Sequence, residues 1–243
     1  AAAVPREVDE FLAWMASERG RSANTVAAYR RDLTGYAAWL AAGGLTVGAV
    51  DRAAVDRFVH ARRAAGAAPS SVARQLAAVR MFHRFMTEEG LRSDDPTADV
   101  EGVRVPAGIP HPLSEEEVGR LLDAVTGADP AALRDRALLE FLYATGARIS
   151  EACGLSLADV DRDHRVVRLF GKGAKERVVP FGRTAAAALD DWLVGGRPRW
   201  EPARWARRGD QEAVFLNTRG GRLTRQAAWA VVRKYAERTG LAD

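Results

Sequence analysis

The chain has 243 residues and carries 36 lysines and arginines against 32 aspartates and glutamates, for a formal net charge of +4. This length is typical of two domains, and the modest positive charge favours nucleic acid as a partner. The single cysteine, Cys153, excludes an internal disulfide, the four histidines show no metal-ligand spacing, and no apolar run is long enough to span a bilayer. We therefore expect a protein of the reducing cytoplasm with no metal and no membrane contact.

The N-terminal part of the chain carries apolar residues at helical spacing and predicts four helices. These run from Pro5 to Glu18, from Ser22 to Leu40, from about Asp51 to Ala65 and from Pro69 to Glu89. Ser22 is expected to cap the second of them, because serine is a favoured N-cap residue. Four helices of this size form a small bundle.

Two of these helices begin with hydroxyl or amide residues and continue with arginines, a pattern by which helices bind phosphate. The candidate DNA contacts are Asn24, Thr25 and Arg30 on the second helix and Arg74 and Arg80 on the fourth. Alternatively, these arginines form the solvated face of the bundle, because residues 1–107 hold 14 basic and 13 acidic side chains. The sequence leaves both interpretations open.

A segment without helical periodicity follows, Ser93–Pro110, with three prolines and two glycines. It predicts a flexible linker between two basic modules, which suits a clamp that closes around a duplex. Beyond it, Ser114 and Glu117 have the spacing of a capping box, which predicts a helix through Thr126. A buried helix is expected over Pro130–Thr145.

The buried helix is expected to stop at Gly146, and a short helix to begin near Ile149, so that Arg148 lies at a helix N-terminus. An anion is favoured at such a place, because unpaired backbone N–H groups and the positive end of the helix dipole lie there. Glu151 is close enough along the helix to hold the guanidinium. The simpler interpretation of Arg148 and Glu151 is an ordinary surface ion pair.

The chain then changes to β-rich sequence. Arg165–Phe170 and Arg177–Phe181 predict a hairpin whose tip, Gly171–Glu176, carries Lys172 and Lys175. A nucleotide-binding P-loop is not expected, because a strand rather than a helix follows the glycine and lysine. A lysine on a hairpin tip can instead deliver a proton to a leaving oxygen, provided that its neighbours lower its pKa.

Helix and strand alternate after the hairpin. We predict a helix from Thr184 to about Leu193, a short strand at Val214–Leu216 and a last helix from Leu223 through Glu237. Between the first two lies Arg197–Arg208, an irregular segment with five arginines and two tryptophans. It either follows a DNA backbone or is a solvated insertion, and the sequence does not decide between the two.

Two motifs in a fixed order carry a family resemblance. The run Thr145-Gly-Ala-Arg-Ile-Ser-Glu151, followed by Gly171-Lys-Gly-Ala-Lys-Glu-Arg-Val-Val-Pro180, resembles the Xer branch of the tyrosine recombinases. The similarity covers almost the whole chain, and includes the helix start at Ser22, the linker onset at Asp95–Pro96 and the run Thr224–Gln226.

The resemblance implies a mainly α fold with a small β-hairpin sheet. Its expected parts are an N-terminal four-helix SAM-like core-binding domain over residues 1–92, a linker over 93–110, and an α+β catalytic domain over 111–243. Together the two domains are expected to form a C-shaped clamp on DNA.

The implied reaction begins with attack of a tyrosine on the scissile phosphodiester, which gives a 3′-phosphotyrosyl bond and a free 5′-hydroxyl that later attacks the partner strand. Arg148 matches the first catalytic arginine of the family, Lys172 its hairpin lysine, and Glu151 the acidic residue beside the arginine. The remaining candidate DNA contacts are Lys175, Arg177, Thr224, Arg225 and Gln226. No metal, ATP or other cofactor is implied, because the bond energy is kept in the covalent intermediate.

The implied partners are double-stranded DNA with a paired-half-site recombination site, a second Xer-type recombinase in a cyclic tetramer on that DNA, and a DNA translocase. The implied role is chromosome dimer resolution at cell division. A phage or transposon integrase is the alternative, and the compact length, without an arm-binding domain before Val4, favours the Xer branch.

The chain departs from the family pattern at its C-terminal end. A His-x-x-Arg, a further His or Trp and the nucleophilic Tyr should follow the helix over Leu223–Ala242, so the catalytic domain is expected to be C-terminally incomplete. The motif-like His60–Arg63 lies in an N-terminal helix, before Arg148, and is a coincidence.

None of the four tyrosines is expected to be the nucleophile. Tyr29, Tyr36 and Tyr143 fall in apolar stripes, and Tyr235 precedes the missing motif. The chain as given is therefore expected to be an inactive DNA-binding module. The longer parent protein, with the rest of the catalytic domain, is expected to be an enzyme.

Overall fold

The computed structural model describes residues 4–106, 112–171, 173 and 175–241. The chain divides into two compact units, Ala1–Pro110 and His111–Asp243, each with its own hydrophobic core. Within the described ranges, no helix has the length and apolar character needed to cross a membrane.

The N-terminal unit is built from helices at the predicted places. They are α1 (Arg6–Ser17), α2 (Ala23–Ala42), α3 (Arg52–Ala64) and α4 (Pro69–Glu88). Helix α4 contacts the other three helices, because apolar residues recur along it at helical spacing. The predicted cap of α2 is confirmed, since Ser22 Oγ accepts a hydrogen bond from the Thr25 backbone N–H at 3.3 Å.

Aromatic side chains fill the centre of this unit. Phe11, Tyr36 and Phe82 are fully buried, and the rings of Phe11 and Phe82 meet edge to face at 5.7 Å. Burial of each such side chain stabilises the fold by about 1.5–3 kcal/mol. Pro96 and Val100 are also buried, so the first part of the predicted linker packs on this core.

The same core encloses one histidine, His83, which has no exposed surface. Its Nε2 lies 3.0 Å from Tyr36 Oη, while its Nδ1 has no hydrogen-bond partner among the described residues. Burial disfavours the charged imidazolium and lowers the pKa of His83 to about 4. Burial likewise raises the pKa of the Tyr36 phenol.

The C-terminal unit combines helices with one small sheet. Its elements are α5 (Glu115–Asp123), α6 (Pro130–Thr145), α7 (Ile149–Gly154), β1 (Val160–Asp161), β2 (Val166–Phe170), β3 (Glu176–Pro180), α8 (Arg183–Asp190) and α9 (Arg225–Arg238). The strands form an antiparallel sheet in the order β1-β2-β3, with Leu169 opposite Arg177. Helix α6 is the centre of this unit and packs on α7, α8 and α9. The expected mainly α fold with a small hairpin sheet is confirmed.

Two predicted helix ends are wrong. Helix α5 ends at Asp123, short of Thr126, and Val125 turns into the core, where its carbonyl accepts a hydrogen bond from the Arg136 guanidinium. Helix α8 does not stop near Leu193 but continues as a π-helical stretch, Asp191–Gly196. The contact at the end of α5 joins residues 11 positions apart, which the sequence pattern does not show.

The predicted strand Val214–Leu216 is also wrong. The segment makes one isolated bridge, between Leu216 and Arg222, and Ala213 just before it makes another with Ser156. Its residues are nonetheless completely buried, and the Val214 N–H donates to the Leu155 carbonyl at 3.0 Å. A short buried apolar run has the same composition in a strand and in an irregular segment, so the pattern could not separate them.

Candidate active site

Arg148 lies in the turn between helices α6 and α7. Gly146 ends α6 in the left-handed region, at φ 59° and ψ 23°, and its N–H donates to the Leu142 carbonyl at 3.0 Å. The Thr145 hydroxyl accepts a hydrogen bond from the Ala147 N–H at 3.2 Å. The predicted stop at Gly146 is confirmed, and these bonds fix the backbone from which the Arg148 side chain extends.

Glu151 reaches back from the first turn of α7 to Arg148. Its Oε2 accepts a hydrogen bond from the Arg148 backbone N–H at 2.8 Å, and its Oε1 accepts one from Arg148 Nη1 at 3.0 Å. The two side chains differ sharply in exposure, at 69% for Arg148 and 3% for Glu151. The carboxylate is therefore an internal anchor, and the guanidinium faces solvent.

A second arginine, Arg177 on strand β3, binds the same carboxylate. Its Nη1 donates to Glu151 Oε1 at 2.9 Å and its Nη2 donates to Oε2 at 2.7 Å, which is the bidentate geometry of strong arginine–carboxylate pairs. The bond to Arg177, and the weaker bonds to Arg148, outweigh burial and lower the pKa of Glu151 to about 2. The same contact raises the pKa of Arg177.

The β2–β3 hairpin lies directly beside this cluster. The Gly171 N–H donates to the Lys175 carbonyl at 2.8 Å, and this hydrogen bond closes the loop of the hairpin. Gly171 also lies close to Glu151, since a Cβ added to this glycine would be 3.5 Å from Glu151 Oε1. Lys175 is exposed. Lys172, the predicted general acid, lies outside the described residues.

The cluster of Arg148, Glu151 and Arg177 has the chemistry of a phosphate site. Two guanidiniums and one carboxylate leave one positive charge, carried to the surface by Arg148. Arginine presents N–H donors in a planar fork that matches phosphate oxygens. Within the described residues, no group of three or more His, Cys, Asp or Glu side chains is arranged to hold a metal ion.

Two family models match the two units. The description "Phage integrase family" matches residues 112–243, and "Phage integrase, N-terminal SAM-like domain" matches residues 8–90. The chain is 44% identical over 248 residues to the tyrosine recombinase XerD of Mycobacterium tuberculosis, which covers 97% of this chain and 78% of that protein. It is 43% identical over 240 residues to XerD of Corynebacterium glutamicum, covering 95% and 77%. The chain belongs to the phage integrase family of tyrosine recombinases.

Solved structures share the fold of this recombinase at lower identity. A lambda integrase tetramer bound to a Holliday junction matches with a TM-score of 0.71 and 15% identity, over 98% of this chain and 64% of that one. XerH bound to its difH substrate matches with a TM-score of 0.70 and 17% identity, over 96% and 69%.

In the N-terminal unit of the recombinase, the three predicted DNA-contact arginines all have partners within the protein. Arg30 Nη1 donates to Asp9 at 2.7 Å, Arg74 is paired with the buried Asp32, and Arg80 donates to the Val100 carbonyl. Arg30 and Arg74 still expose about half of their side chains, at 50% and 53%.

The predicted hydroxyl and amide contacts have simpler surroundings. Asn24 is exposed in the first turn of α2, whereas Thr25 is half-buried and its Oγ1 lies 2.9 Å from the Ser22 hydroxyl. At the start of α9, Thr224 Oγ1 caps the helix by accepting from the Ala227 N–H at 3.2 Å. Arg225 and Gln226 are exposed in the first turn that follows.

The segment Arg197–Arg208 has a mixed character in this recombinase. Arg197 is buried, and its guanidinium donates to the carbonyls of Ala213 and Gln211 at 3.0 and 2.6 Å. Trp200 packs on the buried Trp192 with ring centroids 5.5 Å apart. The exposed arginines of the segment are Arg199, Arg204, Arg207 and Arg208. Its beginning is thus part of the core and is neither a solvated insertion nor a DNA track.

The sequence pattern did not reveal a buried polar network around Asp135, which is 1% exposed. Asp135 Oδ1 accepts from Arg134 Nη2 at 2.5 Å, and Oδ2 accepts from Lys234 Nζ at 3.3 Å and from Tyr235 Oη at 3.1 Å. Residues of α6 and α9 meet here, which no sequence spacing connects. Asp135 interrupts an otherwise apolar helix face, and that interruption was the available signal.

Two of the four tyrosines are buried, and one of them, Tyr235, belongs to this network. Tyr235 is 2% exposed, and Tyr36 is fully buried in the other unit. Tyr143 was expected in an apolar stripe, and that expectation is wrong, because the side chain is 55% exposed on α6. Helix α6 buries a different face, which carries Leu138 and Phe141.

Proposed function

We propose that this recombinase cuts and rejoins DNA at a site made of paired half-sites, with the exposed guanidinium of Arg148 bound to the scissile phosphate. The observation that carries the proposal is the pairing of Glu151 with two arginines, which holds Arg148 in place and leaves a net positive charge at the surface.

Each residue has a distinct part in the proposed reaction. A tyrosine attacks the phosphorus while its phenolic proton passes to a general base among the family's remaining catalytic residues, and the 5′-oxygen is displaced. Arg148 stabilises the negative charge that grows on the nonbridging oxygens. Lys172 gives a proton to the leaving 5′-oxygen as a general acid. In the second step the 5′-hydroxyl of the partner strand attacks the phosphorus and gives its proton to the neutral Lys172. The bond between phosphorus and the tyrosine oxygen breaks, and that oxygen takes back its proton. No cofactor is needed, because the phosphotyrosyl bond keeps the energy of the broken bond.

The nucleophilic tyrosine and the remaining catalytic residues are proposed to lie beyond Asp243, because the XerD relatives are longer and the chain spans 77–78% of their length. The N-terminal unit is proposed as the core-binding domain and the C-terminal unit as the catalytic domain. Proposed DNA contacts within them are Asn24, Thr25, Arg30, Arg74, Arg80, Lys175, Arg177, Thr224, Arg225 and Gln226.

The proposed partners are double-stranded DNA and a second Xer-type recombinase in a cyclic tetramer. The lambda integrase neighbour is a tetramer bound to a Holliday junction, and XerH is bound to its difH substrate, which supports this assembly. The XerD names of the relatives support a role in chromosome dimer resolution. The cytoplasm as its location and a DNA translocase as a further partner are part of the same proposal.

A nicked suicide substrate tests the activity. The nick lets a short strand end diffuse away after cleavage, so that the covalent protein–DNA adduct accumulates and is seen in a denaturing gel. A version that carries the family's C-terminal His-x-x-Arg and Tyr is expected to form this adduct. Absence of the adduct in that version, on DNA that it binds, would rule out the proposed recombination activity.

The second candidate function is DNA binding without cleavage by the 243-residue chain itself. It is favoured by the burial of Tyr36 and Tyr235, which keeps both hydroxyls from a phosphate. The same gel separates the candidates, because this chain is expected to shift the DNA without an adduct. If an adduct appears, Tyr143→Phe shows whether the exposed tyrosine of α6 formed it.

A further inference from the structure

The Glu151 carboxylate is shared unequally by its two arginines. Arg177 uses two nitrogens, one on each carboxylate oxygen, at 2.9 and 2.7 Å. Among the described residues, the Arg148 guanidinium makes one hydrogen bond, from Nη1 to Oε1 at 3.0 Å. Since a guanidinium has five N–H donors, most of those on Arg148 remain available for a ligand.

This division decides how much charge Arg148 offers to a phosphate. A carboxylate with one arginine partner forms a neutral bidentate pair, in which both oxygens hold the same guanidinium. Here Arg177 occupies that geometry and neutralises Glu151, so Arg148 keeps its full charge while still being anchored. The exposed fractions agree, because Arg148 is 69% exposed and Arg177 is 38% exposed.

The same pair joins two elements that are distant in the sequence. Glu151 belongs to α7 and Arg177 to β3, and the hairpin backbone at Gly171 lies against the carboxylate. The bidentate contact therefore fixes the β2–β3 hairpin, whose sequence includes Lys172, to helix α7, which begins just after Arg148. A longer or weaker link would allow the two elements to shift relative to each other.

We infer that Arg177 is a positioning residue of the recombinase, which occupies both oxygens of Glu151 so that Arg148 faces the phosphate with its charge intact. This inference rests on the proposed function and replaces a direct DNA contact as the main role of Arg177. Without Arg177, we expect both oxygens of Glu151 to bind the Arg148 guanidinium in a neutral bidentate pair.

A double-mutant cycle tests the inference in the version that carries the C-terminal catalytic residues. Arg177→Ala is expected to lower the single-turnover cleavage rate about tenfold to a hundredfold at saturating protein, with DNA affinity changed less than about threefold. In the Glu151→Gln background, the same substitution is expected to change the rate less than about threefold, because a neutral amide does not capture Arg148. Arg177→Lys is expected to recover only part of the rate, because a lysine cannot bind both oxygens in one plane.

Arg168→Ala provides the matched control. Arg168 is also on the hairpin and is paired with an acidic side chain, Asp159, at 3.0 Å, but that pair lies outside the Glu151 cluster. Its removal is expected to leave cleavage unchanged.

A direct DNA contact gives a different outcome. Arg177→Ala would then weaken binding, lower the slope of log affinity against log salt by about one, and do so equally in the Glu151→Gln background. That result would overturn the inference, as would an unchanged cleavage rate in Arg177→Ala.

An NMR titration of the Glu151 carboxyl tests the pairing of Arg177 with Glu151 without a cleavage assay. It uses the 243-residue chain. Arg177→Ala is expected to raise the pKa of Glu151, because the carboxylate then keeps one arginine partner instead of two, and Arg177→Lys is expected to raise it by less. If the version that carries the C-terminal catalytic residues forms no adduct, the proposed function fails, while this titration still tests the pairing of Glu151 with Arg177. An unmoved pKa in variants that keep the wild-type unfolding temperature would refute the positioning role.

Discussion

Two arginines of the N-terminal unit and two of the C-terminal unit differ in how they are matched by acidic partners. In the N-terminal unit, Arg30 pairs with Asp9 and Arg74 with Asp32, so each guanidinium has its own carboxylate. In the C-terminal unit, Arg148 and Arg177 share Glu151. The first arrangement leaves no net charge, and the second leaves one positive charge at a fixed position. The comparison teaches that a shortage of carboxylates, rather than a high density of arginines, distinguishes the proposed reactive site.

The largest expected effect is that of Arg148→Ala. Loss of the charge that stabilises the transition state is expected to slow cleavage by roughly 10²–10³-fold or more, by analogy with other oxyanion donors. The measurement is the single-turnover rate of adduct formation on the nicked substrate. Arg52→Ala, which removes an exposed ion pair with Asp56 in the other unit, is the control and is expected to leave that rate unchanged. Equal losses in both variants would break the comparison between the units.

Lys172→Ala is expected to have the next largest effect on cleavage. Removal of a general acid slows a reaction by about 10²–10⁴-fold, while DNA affinity measured by gel shift should be spared. A substrate with a better leaving group at the 5′-position, such as a bridging phosphorothioate, is expected to restore the rate of Lys172→Ala but not that of Arg148→Ala. Parallel loss of binding and cleavage would assign Lys172 to DNA contact instead.

Acid is expected to destabilise the N-terminal unit before it affects the Glu151 cluster. His83 has a pKa of about 4 in the folded protein against an ordinary value of 6.5. Its contribution to the free energy of unfolding is therefore complete above pH 6.5 and is lost as the pH falls toward 4. This difference between the two pKa values of His83 corresponds to about 3 kcal/mol in the free energy of unfolding. The pKa of Glu151 is about 2 in the folded protein, against an ordinary value of 4.5. The stability that Glu151 contributes is therefore complete above pH 4.5 and is lost only as the pH falls from 4.5 toward 2.

Chemical denaturation as a function of pH measures this difference. His83→Gln removes the titrating group while keeping a possible partner for Tyr36, and it is expected to abolish the loss between pH 6.5 and 4. His60→Gln, at an exposed position on α3, is the matched control and should leave the pH profile unchanged. An unchanged profile in His83→Gln would disprove the assignment to His83.

The smallest expected effect is on DNA affinity, in a variant that makes the N-terminal unit resemble the C-terminal one. Asp32→Asn removes the negative partner of the half-exposed Arg74 and is expected to raise the affinity about twofold to fivefold at low salt, because the freed positive charge can neutralise one more phosphate. Asp9→Asn makes the same change at Arg30. No change in either variant would favour the solvated-face interpretation of these arginines.

Much of the fold follows from local signals in the sequence. Helices α1 to α4, α6 and α7 lie close to their predicted positions, because each is specified by apolar residues at helical spacing and by a cap within a few residues, such as Ser22 or Gly146. The strand predicted at Val214–Leu216 failed, because burial makes that run apolar without pairing it in a ladder. Strand β1 was not predicted, because its two residues carry too little pattern.

The candidate site was predictable only in part. The turn at Gly146 and the spacing of Arg148 and Glu151 are local features, and the sequence by itself determined them. Only the tertiary structure decided that Arg177, 26 residues away from Glu151, takes both oxygens of that carboxylate. Likewise, Tyr235 meets Asp135 across 100 residues. The physical reason is that helix caps and turns form between residues a few positions apart, whereas the partner of a buried charge is chosen by whichever elements the fold packs together.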